Sequence, residues 1–181
     1  GSGGVIATDA ILSDATNNIT EVNLDGGTLQ PTAARADFMQ GLTNVFVRSG
    51  GVTIDTAFNI TIAQDLLDGS GGGGLIKTGT GTLQLDGINS YTGTTTVNAG
   101  GFGGDGTLAG PVVINSDGTL RPGGGAIGTL TVNNNLTLNA GADAVFGLNT
   151  ANFPGINDML NVSGTLSITD GSLTVVNDGP A

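Results

Sequence analysis

The chain contains no cysteine, no histidine and no tryptophan, and only four of its 181 residues are lysine or arginine. Without thiols there is no disulfide framework and no thiolate metal site, and no redox compartment is selected. Ser-His and Cys-His nucleophilic arrangements are excluded, which leaves carboxylates as the side chains suited to general acid-base work. Charged residues are 10% of the chain, against roughly 25% in ordinary soluble domains. Fifteen acidic residues against four basic ones set the formal net charge at -11. Such a surface is repelled by phosphate backbones and anionic headgroups, so nucleic acid is excluded as a partner. No apolar run approaches the roughly 18 residues of a membrane-spanning helix, and membrane insertion is not expected. Gly1-Ser2-Gly3-Gly4 lacks the charged and apolar regions of a signal peptide, so the chain is either mature or cut from something longer.

What is abundant is glycine, 34 residues without a collagen period, together with threonine, asparagine and short apolar alternations. In Gly81-Thr82-Leu83-Gln84-Leu85-Asp86 the two leucines face one side of an extended backbone and Thr82, Gln84 and Asp86 the other. Gly-Thr-Leu returns at positions 27, 81, 106, 118, 128 and 164. Nearly every extended piece is three to six residues long, too short for a stable sheet alone, so its buried face must be completed by neighbouring copies. Irregular spacing between pieces suits a solenoid, in which each coil stacks only on its neighbours. The chain therefore reads as all-β, a single-stranded parallel β-helix (β-solenoid) with Gly/Asn-rich bends, one domain over 1–181. Coils of about 22 residues predict roughly eight of them. The spacing of Ala34, Phe38, Met39 and Leu42 predicts a short helix or irregular insertion near 31–42. The inward ladder is expected to include Leu83, Leu85, Leu130, Val132, Leu136 and Leu138.

The stretch 74–100 carries a resemblance. Leu75-Ile76-Lys77-Thr78-Gly79-Thr80-Gly81-Thr82-Leu83, followed by Asn89-Ser90-Tyr91-Thr92-Gly93-Thr94-Thr95-Thr96-Val97-Asn98-Ala99-Gly100, closely resembles the autotransporter passenger-associated β-strand repeat of bacterial surface proteins. Gly118-Thr119-Leu120-Arg121-Pro122-Gly123, Ile127 to Val132 and Asp158 to Gly164 look like segments that follow such repeats. At Ala99-Gly100 the sequence departs from the family pattern, running into Gly101-Phe102 where Thr-Leu is usual. The resemblance implies a right-handed β-helix, extracellular or on a bacterial cell surface, and names no ligand.

Each candidate for chemistry has a plainer structural reading. Asp65 and Asp68 are close enough in sequence for an acid and base pair, but are read as solvated loop carboxylates. Gly100-Gly101-Phe102-Gly103-Gly104-Asp105 resembles the start of a Ca²⁺-binding nonapeptide, with Thr107 where a large apolar residue belongs. Gly69 to Gly74 satisfies G-x-G-x-x-G with no strand-to-helix unit around it. The sequons at Asn18, Asn59, Asn135 and Asn161 are what a polar-apolar-polar strand produces anyway. Lys77 is read as a surface residue with a long apolar stem, and Tyr91 and Phe102 as anchors of bends against the core. No catalytic residue, cofactor or metal site is assigned, and the chain is not expected to be an enzyme.

The apolar terminal strands lack polar caps. Val5 and Ile6 at one end and Leu173, Val175 and Val176 at the other are expected to be assembly ends, through continuation of the chain or head-to-tail self-association into a homopolymer. The expected function is structural, a stalk, coat or filament. The alternative is an adhesin or carbohydrate-binding module recognising surface glycans through its loops and Phe102.

Overall fold

The computed structural model describes residues 3–13, 21–148 and 157–177. Its strands are paired in parallel throughout, and they stack into three faces around one apolar interior. The first face climbs eight rungs: Val5–Thr8, Thr28–Pro31, Val52–Asp55, Leu75–Thr78, the near halves of Thr95–Gly104 and Val112–Pro122, then Leu136–Leu138 and Leu166–Ile168. The second face stacks Ile11–Leu12, Arg35–Gln40, Ile60–Ile62, Thr82–Leu85, the far halves of the same two long strands, Asp143–Leu148 and Ser172–Asn177. Glu21–Leu24, Asn44–Val47 and Leu66–Asp68 start the third face, and Ile88–Asn89, Thr107–Leu108, Thr129–Val132 and Met159–Val162 complete it. The fold is the expected parallel β-helix. At about 4.8 Å between rungs the stack is about 35 Å tall.

Period-two alternation builds the interior directly. Along the first face, Val52, Leu75, Thr95, Val112, Leu136 and Leu166 are successive partners in register, and Ile54, Lys77, Val97, Ile114, Leu138 and Ile168 form the next file. On the second face Ile60, Leu83, Phe102 and Leu120 do the same. Leu83, Leu85, Leu130, Val132, Leu136 and Leu138 are all buried. The coils differ in length: Thr95 pairs with Val112 only 17 residues on, whereas Thr165 and Asn135, 30 residues apart, are bonded in neighbouring coils. A solenoid tolerates this because extra residues leave at the bends, where no register is imposed.

One sequence expectation is overturned here. Residues 31–42 hold no helix or covering loop; Thr28–Pro31 and Arg35–Gln40 are rungs of the first two faces. The register shifts between Arg35 and Met39, so the adjacent Phe38 and Met39 are both buried while Ala34 is exposed. Four steps along this strand, Arg35 to Met39, oppose only two along its neighbour, Ile60 to Ile62, so two extra residues are accommodated and the alternation is broken, which leaves apolar residues at spacings that imitate a helix.

Candidate functional site

Among the described residues the solenoid's interior contains one charged group. Alternation puts Lys77 on the same side of its strand as Leu75, between Ile54 and Val97 of the adjoining coils, and it is fully buried. The surface position expected for it is therefore wrong. Its Nζ donates to the carbonyl oxygens of Thr78 (2.7 Å), Gly79 (2.8 Å) and Ala99 (3.1 Å), so one ammonium ties two consecutive coils at their bends. Gly79 (φ 77°) and Gly100 (φ 75°) take left-handed conformations there that an L side chain rarely adopts. Burial lowers the lysine pKa to about 8, with the Asp55 carboxylate opposing the shift. The signal was present in the Leu-Ile-Lys-Thr alternation. Against it stands the general rarity of buried lysine.

The other buried polar side chains are also satisfied, Asn89 by bridging coils and Tyr91, Thr95 and Thr56 by local bonds. Asn89 accepts from the Leu66 amide (3.2 Å) and donates to the carbonyls of Gly87 (2.9 Å) and Thr107 (3.2 Å), which links three successive coils. The Tyr91 hydroxyl lies 2.6 Å from Thr95 Oγ1, and burial raises the Tyr91 pKa well above its ordinary value. Both Tyr91 and Phe102 are buried, so Phe102 cannot serve as an exposed sugar platform. Among the described residues every buried side-chain nitrogen or oxygen has a partner.

Carboxylates form staples at the bends. Asp65 Oδ1 accepts from the Ile88 amide (2.7 Å), Asp86 Oδ1 from Asp105 (3.0 Å), Asp105 Oδ1 from Thr129 (2.9 Å), and Asp158 from both Gly128 (3.0 Å) and Gly147 (2.6 Å). Asn59 and Asn135, two of the sequon residues, accept likewise from the amides of Thr82 (3.1 Å) and Thr165 (2.9 Å). Asn18 lies outside the described residues, and Asn161 is in the strand Met159–Val162. Asp65 and Asp68 both engage the next coil but through different groups: the Asp65 carboxylate accepts from Ile88, and the Asp68 backbone amide donates to Ser90 Oγ (3.1 Å). Gly101 to Gly104 are strand residues paired with Thr119 to Pro122, and Asp105 is one of the staples. Among the described residues no three or more acidic side chains are placed to hold a metal ion. Asp105→Ala is expected to cost about 1–2 kcal/mol, since it leaves the Thr129 amide without its acceptor, measurable as a lower urea midpoint.

The guanidinium groups of Arg35 and Arg48 are also occupied. Arg35 pairs with Asp37 at 2.8 Å and approaches Asp9 at 3.9 Å. Arg48 reaches Glu21 (3.5 Å), Asn23 (2.6 Å) and the Gly69 carbonyl (2.8 Å), and stacks 4.9 Å from the Phe46 ring centroid.

The two ends of the described stack differ from its middle. Ile6 pairs with the buried Leu29, so it continues the inward file, yet it is 59% exposed. Val5 pairs with Thr28 and lies on the outward parity. At the other end Leu120, Leu138, Ala144, Phe146, Leu160, Leu166, Ile168, Leu173 and Val175 surround an open cavity of about 270 Å³. Leu173 and Val175 are 65% and 54% exposed, and Val176 does not line this mouth. Ile6, Leu173 and Val175 are thus positions where the interior ladder meets solvent. Val5 and Val176 are their outward neighbours.

The family model of the passenger-associated-transport-repeat matches residues 75–101. Over 108 residues, 56% of this chain, the sequence is 44% identical to the adhesin BmaC autotransporter of Brucella suis biovar 1 (strain 1330). Over 61 residues, 34% of this chain, it is 51% identical to an extracellular serine protease of Serratia marcescens. These aligned stretches span only 3% and 6% of those relatives. No solved structure matches the chain significantly. The chain is a parallel β-solenoid that carries a passenger-associated-transport-repeat at residues 75–101, in the coil held by Lys77.

Proposed function

We propose that this chain is a non-enzymatic structural segment of a bacterial surface or secreted protein, a β-solenoid stalk whose coils stack onto further coils of the same kind. The observation that carries this reading is the continuity of the ladder into solvent at both ends of the described stack. Ile6 at one end and Leu166, Ile168 and Leu173 at the other are in register with buried rungs, and Val175 with the partly buried Phe146. In head-to-tail contact, strands on corresponding faces would pair in the same parallel sense as the rungs within the chain, extending both the hydrogen-bond ladder and the apolar file. Such a contact is heterologous and builds a filament unless another element closes it.

The test is the assembly state of the intact protein by electron microscopy and sedimentation. End-to-end rods that shorten to monomers in Leu173→Lys are the expected result; monomers alone at high concentration count against stacking. A second reading, an adhesive module, draws on the similarity to an adhesin over more than half of the chain. Loss of cell attachment on deletion of this segment would support it.

A further inference from the structure

Aromatic side chains in this protein are mostly interior: Phe38, Tyr91 and Phe102 are buried, and Phe146 packs against the core. Among the described residues two phenylalanines lie outward, Phe46, which stacks with Arg48, and Phe58. Phe58 is 39% exposed and borders an open groove of about 500 Å³ lined by Gln30, Pro31, Thr32, Asp55, Ala57, Phe58, Gly79 and Thr80. That size falls in the range of about 300–1,000 Å³ usual for small-ligand sites. These residues come from three successive coils, so the groove runs along the axis for about 10 Å, two rung spacings.

A lone exposed phenylalanine is ordinary, but this one is fixed in place and has organised polar neighbours. The buried Thr56 hydroxyl accepts from the Phe58 amide (3.0 Å) and donates to the Phe58 carbonyl (2.9 Å). The Gly81 amide donates to the Thr56 carbonyl (2.8 Å), and a side chain at Gly81 would strike the Phe58 backbone, so the next coil packs directly under the turn. Beside the ring, Asp55 is oriented by Gln30 Nε2 (3.1 Å, to Oδ2) and Thr78 Oγ1 (3.1 Å, to Oδ1). A carboxylate has about four acceptor sites, so these two bonds leave acceptor capacity unused.

We infer that this groove is a binding site for a short neutral oligosaccharide. The ring offers an apolar platform for the C–H face of a sugar. The Asp55 carboxylate, the Gln30 amide and the hydroxyls of Thr32 and Thr80 supply acceptors and donors for its hydroxyl groups. Charge selects the neutral class: Asp55 is the one ionisable residue of the lining and the chain carries a net charge of -11, both unfavourable to sulfated, sialylated or uronic sugars. The rigid turn limits the ordering cost of binding, which favours a usable affinity from a small contact. This inference rests on the adhesive reading and locates it on the side of the solenoid, away from the ends and away from Phe102.

The experiment is a glycan array of neutral and anionic oligosaccharides probed with the intact chain, followed by titration calorimetry on any neutral hit. The expected result is retention of neutral glycans, with at least tenfold weaker binding in Phe58→Ala, retained binding in Phe58→Trp and unchanged melting in both. If Phe58→Ala perturbs folding, Asp55→Asn and Phe58→Trp carry the comparison, the first weakening binding and the second preserving it. Binding confined to anionic glycans, binding to peptides alone, no binding at millimolar sugar, or equal binding by the variants overturns the proposal. Cell attachment without glycan retention would overturn the groove while leaving the adhesive reading intact.

Discussion

Lys77→Ala is expected to lower the unfolding free energy by about 3–5 kcal/mol, because it strands three carbonyls and leaves a cavity among Ile54, Val97 and their neighbours. Lys77→Met, which refills the volume and removes the buried charge, should recover part of this, leaving a loss of about 1–3 kcal/mol. A solvated surface lysine would lose well under 1 kcal/mol in either case, so urea titration of the two variants separates the alternatives. The pH dependence gives an independent reading. Folding lowers the Lys77 pKa from 10.5 to about 8, so between those values the unfolded chain holds a proton that the folded chain has released. Stability therefore rises with pH across that window, by up to about 3 kcal/mol. Tyr91 acts in the opposite sense: its raised pKa means the unfolded chain ionises first, and stability falls as pH climbs beyond the ordinary tyrosine value of 10.0. Denaturation midpoints should climb from pH 8 towards pH 10 and then turn down. The climb should vanish in Lys77→Met, and the downturn should weaken in Tyr91→Phe.

Leu83→Asp should unfold the chain or cost at least about 5 kcal/mol, comparable with the whole stability of many domains. Leu83 sits between Ile60 and Phe102 in the second-face file and is fully buried. The substitution both removes the leucine and places a carboxylate among apolar side chains. Ile76→Asp on the outward side of the first face, where the native side chain is 41% exposed, should cost under about 1 kcal/mol. Equal melting temperatures for the two variants would refute the inward assignment of Leu83.

Coil-to-coil bonding accounts for the placement of many polar residues of this chain. Asp65, Asp86, Asp105 and Asp158 have the composition of an acidic site, yet each binds backbone amides across a bend. A solenoid bend cannot pair all its amides in strand ladders, and short acceptor side chains fill the gaps. The same logic holds for Asn59, Asn89 and Asn135.

The alternation of Thr82-Leu83-Gln84-Leu85 and its shorter copies determined by themselves an all-β solenoid, the inward leucines and valines, and the repeat at 75–101, because each depends on local period and on glycine punctuation. Tertiary structure decided the rest. The strand at 35–40 is legible only once its bulge is set against Ile60–Ile62, since two inserted residues turn a strand pattern into one that imitates a helix. Lys77 proved interior because the carbonyls that receive it belong partly to Ala99, 22 residues away, and no local pattern announces an acceptor supplied by the next coil. The groove beside Phe58 likewise exists only where three coils meet. A solenoid brings together residues about one coil apart, and the register that aligns them comes from stacking, not from any one stretch of sequence.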